Sequence, residues 1–332
     1  MKIFISIASY QDPLLETTIN SAYLNASHPE NLIFGICDQS SKPIDKNIFN
    51  FSDQINYEHI DPKDSEGPCW ARARIQERFN NENFYLQIDS HMQFQKGWDT
   101  YLINYINKIK MVDLKSHQHP IVTCYPRAFE IDSLKEKSFK LHDQDQKTHA
   151  ISYRQDAMFI KNNFSRQIGS LAHNDICHGY LVAAGCLFTT REFVTQIPYD
   201  SQYYFYGEEI SMMLRAFTRG FGIFHLPATP IFHLYTEMTD IKRSLHWDEN
   251  EDKNRKIKWH ERESKSINRL NELINNKLKG SYGLGIDRDL KDYEYLSGVD
   301  LINKKVVDET KAFTADFIKS LSWKESPFKS MD

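Results

Sequence analysis

The sequence predicts an α/β protein built on a mostly parallel sheet covered by helices, and three observations predict it. Short runs of β-branched and aromatic residues alternate with segments of helical period from residue 3 to about residue 125. Two of those runs end in a carboxylate, Asp38 and Asp89, the strand end at which such sheets meet their ligands. The overall balance favours no competing class, because 41 Lys and Arg against 45 Asp and Glu leave a formal charge of −4 over 332 residues. That charge is too small to point to nucleic acid or to an anionic membrane surface.

Each element follows from local chemistry. "IFISIASY" reads as a strand and ends at "QDP", where Asp12 can cap a helix carrying Pro13 in its first turn. Leu15, Ile19, Ala22 and Ala26 then recur at helical spacing, and "NLIFGICDQS" is a second strand. "INYEHI", "FYLQI" and "PIVTCYP" read as further strands, with helices at "CWARARIQERF" and "WDTYLINYINKI". From about 130 to 178 the text is polar and aperiodic, which predicts a long loop or lid. "GYLVAAGCLFTT" reads as a buried strand, and Ile210, Met213, Leu214 and Phe217 mark a helix closed by Gly220. After "PIFHLY" the composition turns sharply to charge, and Ile267, Leu270, Ile274 and Leu278 give one apolar helical stripe. We therefore expect one α/β domain over residues 1–240 and a mostly helical C-terminal extension, 241–332, packed on it.

No apolar run approaches the roughly 20 residues that span a bilayer. The five cysteines are odd in number, widely spaced and without C-x-x-C, which argues against a disulfide framework and a zinc ribbon. The expectation is a cytoplasmic protein with no transmembrane segment.

The chemistry concentrates at "FYLQIDSHMQF". Asp89 and His91 are two residues apart, so in extended backbone both side chains point the same way, as two ligands of one cation must. A carboxylate with an imidazole suits manganese or a similar divalent ion better than magnesium or calcium. Taken alone, D-x-H reads more readily as a hydrogen-bonded histidine at a strand end, and its place at a strand terminus inside a βαβ series is what favours the metal reading. A third ligand is sought downstream, where His233 ends an apolar run and His225 competes for the role. Glu208 and Glu209 open a helix, where acids are favoured by the unpaired amides, or else they face the crevice and hold a substrate or orient an acceptor. The small residues before Cys186 allow a ligand close to the backbone or serve core packing. Arg72 and Arg74 lie early in a helix, opposing its dipole, and either serve a phosphate or are solvated.

Taken in order, "IFISIASYQDP", "EGPCWARAR", "FYLQIDSHMQF" with "WD", "AAGCLF", "PYDSQYYFYGEEI", "PIFHLY" and "YGLGIDRDLKDYEYLSGVD" resemble the cytosolic hydroxyproline N-acetylglucosaminyltransferases and their bacterial relatives. A more distant similarity is to the polypeptide N-acetylgalactosaminyltransferases. The resemblance implies a GT-A type, Rossmann-like nucleotide-sugar-binding domain, a divalent metal, manganese in most members, and transfer with retained anomeric configuration. It implies Asp89, His91 and His233 as metal ligands. Ala8, Ser9, Tyr10 and Asp38 would line the nucleotide pocket, Gly185 would lie under the donor sugar, and Glu208 and Glu209 would stand beside sugar or acceptor. Ser65 stands where the polypeptide enzymes carry an arginine before Glu-Gly, so Arg72 is the expected diphosphate contact. The partners implied are a UDP-sugar, most simply UDP-N-acetylglucosamine, and a protein or glycan acceptor. Two other readings use the same residues: a nucleotide-sugar-binding module without turnover, and a metal-dependent phosphohydrolase.

Overall fold

Strand β1 (Ile3–Tyr10) carries Ile3, Ile5 and Ile7 on one face and Phe4 on the other, and that alternation sorts the whole interior. The computed structural model describes residues 1–133, 138–142, 149–160, 166–171, 174–236, 239, 241–314 and 320–327. In its first half α1 (Leu15–Asn25), β2 (Leu32–Gln39), β3 (Ile55–Ile60), α2 (Pro68–Gln76) and β4 (Phe84–Ile88) follow in turn. Next come β5 (Met92–Phe94), α3 (Trp98–Lys110), α4 (Lys115–Gln118) and β6 (Pro120–Thr123).

Among its described residues the expected loop at 130–178 is largely strand, a correction to the sequence reading. It holds most of β7 (Arg127–Ser133), then β8 (Ser138–Leu141), β9 (His149–Tyr153), β10 (Gln167–Leu171) and the start of β11 (Cys177–Gly179). Residues 134–137, 143–148, 161–165 and 172–173 of that segment lie outside the described residues. The expected strand at 179–190 shortens to β12 (Cys186–Thr190), because Ala184 and Gly185 form a turn before it. The remainder comprises α5 (Arg191–Gln196), α6 (Glu208–Phe217), β13 (Gly222–His225), β14 (Ile231–His233) and α7 (Glu249–Asp252). After these come α8 (Trp259–Ile274), α9 (Leu290–Ser297), β15 (Val299–Asp300), β16 (Lys305–Val306) and α10 (Glu309–Phe313). Helix α8 stops at Ile274, so Leu278 of the predicted stripe falls beyond its end.

The central sheet runs β11-β13-β6-β12-β4-β1-β2-β3. Strands β3, β2, β1 and β4 are mutually parallel, while β12 enters antiparallel between β4 and β6. The mixed α/β class read from the sequence is thus the one observed. Helices α1 and α3 cover one face through Leu15, Ile19, Trp98 and Leu102. Helices α2, α6 and α8 cover the other through Ile75, Met213 and Leu270. A second sheet, β5-β14-β7-β8, pairs His233 of β14 with Met92 of β5.

The C-terminal stripe is therefore part of the main core. Leu270 is fully buried, and its Cδ2 lies 3.3 Å from where a Cβ at Gly207 would stand. Leu270→Ala is expected to destabilise the protein by about 2–5 kcal/mol and to leave one cooperative transition, followed by fluorescence and far-UV dichroism in urea. Two separated transitions would show that α8 melts on its own.

Candidate functional site

The site starts at a bend. Asp89, Ser90 and His91 turn the chain between β4 and β5, so the extended geometry expected for D-x-H is absent, yet the side chains converge. Register then sets His233 beside them, because it lies opposite Met92. One donor atom from each of Asp89, His91 and His233 falls within 4.8 Å of the other two. His91 Nε2 and His233 Nε2 are 3.0 Å apart, and His233 Nε2 is 3.4 Å from Asp89 Oδ2. The rival His225 is instead a satisfied core histidine: it is fully buried, its Nδ1 lies 2.7 Å from the Thr123 carbonyl, and burial pulls its pKa down to about 4.

Asp12 governs how His91 is presented, a role that "QDP" did not reveal. The helix starts at Leu15 with Leu14 at its N-cap and no capping side chain, so Pro13 lies ahead of the first turn and Asp12 is not the cap the sequence suggests. Its Oδ1 accepts the Leu14 N–H at 2.9 Å, while Oδ2 accepts the Ser90 hydroxyl at 2.9 Å and His91 Nδ1–H at 2.7 Å. Burial works to raise the Asp12 pKa, but the hydrogen bonds from His91, Leu14 and Ser90 outweigh it and hold the carboxyl below its ordinary range. An ionised carboxylate can only accept, so the proton of His91 sits on Nδ1 and the Nε2 lone pair faces His233. Two imidazole nitrogens 3.0 Å apart need a proton or a cation between them. With Asp89 at the same point, the donor set fits a manganese-class ion. Burial lowers the pKa of His233 despite the opposing carboxylate of Asp89, which favours the neutral, ligating form.

Arg72 explains itself through two acids rather than through solvent. Its Nη2 donates to Asp89 Oδ1 at 3.0 Å and its Nη1 to Glu208 Oε1 at 2.5 Å; Glu208 also accepts the Tyr199 hydroxyl. Burial alone would raise the Asp89 pKa, yet the His233 bond and the charge of Arg72 hold it well below the usual carboxylate range. Arg74 is not part of this group, because it pairs with Glu58 on β3. Glu209, next to Glu208 in the first turn of α6, accepts the Ala184 N–H and the Gln167 amide, each at 2.9 Å. Burial, only partly offset by the Ala184 bond, raises its pKa to about 7. Gly185 is required by close approach: a Cβ there would stand 2.4 Å from Asp89 Oδ2.

Arg72, Asp89, Gly185, Glu208, Glu209 and His233 line a cavity of about 590 Å³. Ala8, Ser9, Tyr10 and Asp38 are not in that wall; they sit together at the carboxyl ends of β1 and β2, with Ser9 in register with Asp38. Asp38 accepts the Tyr57 hydroxyl at 2.6 Å. Tyr10 donates to Glu251 at 2.6 Å and accepts from Arg255, and its ring meets His246 at 4.9 Å. Residues 246–255 thus pack against this strand end, a contact for which the sequence carried no signal.

Two measurements probe this chemistry. Asp12→Asn should weaken manganese binding about 10–100-fold by calorimetry, because the amide no longer fixes the tautomer of His91; unchanged affinity would remove Asp12 from the site. Glu209 holds its proton to higher pH folded than unfolded, so its ionisation should cost stability as pH rises from its ordinary value of 4.5 towards about 7. Glu209→Gln in metal-free protein should accordingly gain about 1–3 kcal/mol at pH 8 relative to pH 4.5, and equal urea midpoints shifts at both pH values would contradict the raised pKa.

A family model described as Glycosyltransferase (GlcNAc) matches residues 2–48 and 41–303. No curated protein matches the sequence. Among solved structures, GalNAc-T7 with UDP, GalNAc and Mn2+ is 13% identical, covering 89% of this chain and 54% of that one, with a TM-score of 0.49. Residues 1–349 of S. aureus TarS in complex with UDP-GlcNAc are 10% identical, covering 95% and 74%, also at 0.49. The chain spans about half the length of the GalNAc-T7 chain, and these likenesses are slight, so the chemistry of the site rests on its own residues. The family match runs over most of the sequence and takes in Asp12, the Asp89–His91 bend, Glu208, Glu209 and His233, and the chain belongs to the Glycosyltransferase (GlcNAc) family.

Proposed function

We propose that the protein transfers N-acetylglucosamine from UDP-N-acetylglucosamine to a hydroxyl acceptor, a protein hydroxyproline or a bacterial glycan, with a divalent ion, manganese, held by Asp89, His91 and His233. The observation that carries this reading is the convergence of those three side chains within 4.8 Å, with Asp89 and His233 in the wall of a cavity that also holds Glu208, Glu209 and Gly185. Ala8, Ser9, Tyr10 and Asp38 receive the nucleoside at the ends of β1 and β2. Gly185 lets the donor sugar lie against backbone. Arg72 serves the diphosphate from behind, by keeping Asp89 ionised and in place. When bound, the cation would neutralise charge developing on the departing diphosphate.

Transfer is front-faced in this proposal. The acceptor oxygen bonds to the anomeric carbon on the side from which UDP leaves, the sugar–phosphate C–O bond breaks, and the acceptor proton passes to the departing phosphate oxygen. Configuration is retained without a covalent enzyme intermediate. Glu208 is held by Arg72 and Tyr199, which supports an orienting rather than a nucleophilic role. Glu209 is the acid beside the acceptor. All five cysteines are free and buried, which supports a reducing compartment, the cytoplasm.

A panel of UDP-sugars assayed with manganese tests the reading. UDP release should be fastest from UDP-N-acetylglucosamine, stop with chelator, and fall at least roughly 100-fold in Asp89→Asn and His233→Ala. Release of UMP or inorganic phosphate instead of UDP would identify a phosphohydrolase, and a glycosyl adduct trapped on Glu208 or Glu209 would rule out front-face transfer.

A further inference from the structure

We infer that Phe205 and Trp247 form the acceptor subsite and that the acceptor they take is a pyranose ring of a glycan; this rests on the transferase reading above. Both residues line the cavity that holds Asp89, His233 and Glu209. They are among the exposed large apolar side chains of the surface, Phe205 at 50% and Trp247 at 36%. Their rings lie 5.0 Å apart at 58°, so together they present two apolar faces at the cavity mouth.

Exposed rings are common, but these two are held in place from behind. Tyr204, next to Phe205, donates its backbone N–H to Ser266 Oγ at 3.1 Å, and its hydroxyl lies 2.6 Å from His246 Nδ1. His246, next to Trp247, lies 2.9 Å from Ser65 Oγ through Nε2. Tyr204 and His246 are both buried, so one buried hydrogen bond ties together the two segments that carry the exposed rings. The result is a platform whose ordering cost is met before any ligand arrives.

The polar groups of the same cavity decide what lies on it. Gln167 donates its amide N–H to Glu209, which fixes the amide and leaves Oε1 buried without a hydrogen-bond partner among the described residues. Glu263, another residue of the wall, accepts the Tyr206 N–H through Oε2 at 3.1 Å. A lone amide oxygen and a carboxylate beside aromatic faces suit a ligand with apolar C–H faces and several hydroxyl donors. A pyranose has both. A peptidyl hydroxyproline brings one side-chain hydroxyl, which the reaction consumes, and so has no further hydroxyl to offer the Gln167 oxygen.

The test uses the full chain with UDP-N-acetylglucosamine and manganese, and measures acceptor-independent UDP release and net transfer side by side. Acceptors are a set of methyl pyranosides and short oligosaccharides, and a hydroxyproline peptide. Transfer to at least one saccharide should exceed transfer to the peptide. Phe205→Ala and Trp247→Ala should each lower the ratio of saccharide transfer to hydrolysis at least tenfold through a raised acceptor KM, and Trp247→Phe should recover most of it. An unchanged acceptor KM in both alanine variants overturns the inference, as does a peptide that outperforms every saccharide. If the unmodified protein neither releases UDP nor binds UDP and manganese by calorimetry, the transferase reading itself fails and takes this one with it; if it does both, only the acceptor assignment is at stake.

Discussion

The structure depends on keeping one carboxylate, Asp89, ionised at the end of a buried strand. Burial pushes its proton affinity up, and Arg72 and His233 push it down and prevail. Much of the neighbouring chain follows from that need. Arg72 has to be buried to reach Asp89, and a buried guanidinium needs a second acid, which Glu208 supplies from the start of α6. Gly185 cannot carry a side chain because Asp89 occupies the space. Three carboxylates, Asp12, Asp89 and Glu208, then surround one guanidinium and two histidines, of which burial favours His233 as a neutral ligand. Such a cluster is short of positive charge, which a divalent cation would provide.

How much of this could be read from the sequence depended on distance along the chain. The strands and helices of the first half carry their own periodicity, and the acids at their ends followed from the topology that alternation implies. The Asp89–His91 pair was visible because its members are two residues apart. The choice between His225 and His233 was not, since both end apolar strands and differ only in what those strands pair with. β13 joins the central sheet, where His225 meets the Thr123 carbonyl, whereas β14 pairs with β5 and so comes to the bend. Asp12 misled for a related reason: its short-range signal, an acid before proline at a helix start, is satisfied by one oxygen and the Leu14 amide. The other oxygen meets His91, 79 positions away, and nothing local encodes that. The strands within 130–178 were hidden by polar faces, since β7 and β8 leave many of their side chains only partly buried.

The C-terminal residues are bound into the chemistry rather than attached to its outside. α8 places Ser266 under the Tyr204 amide and Glu263 under the Tyr206 amide, which fixes the stretch leading into Gly207 and the two glutamates. The segment ahead of α8 sets His246 against Tyr204 and Ser65, and Arg255 against Tyr10. Ser65 in turn donates to Gln39, whose amide donates to the Ser9 carbonyl at the end of β1. One chain of hydrogen bonds therefore runs from the aromatic mouth, through His246, to the strand ends proposed to receive the nucleoside. Because its members are buried and each is satisfied by the next, displacing one leaves another unpaired at a cost of about 1–3 kcal/mol. The aromatic mouth and those strand ends are therefore held by one shared set of partners rather than separately.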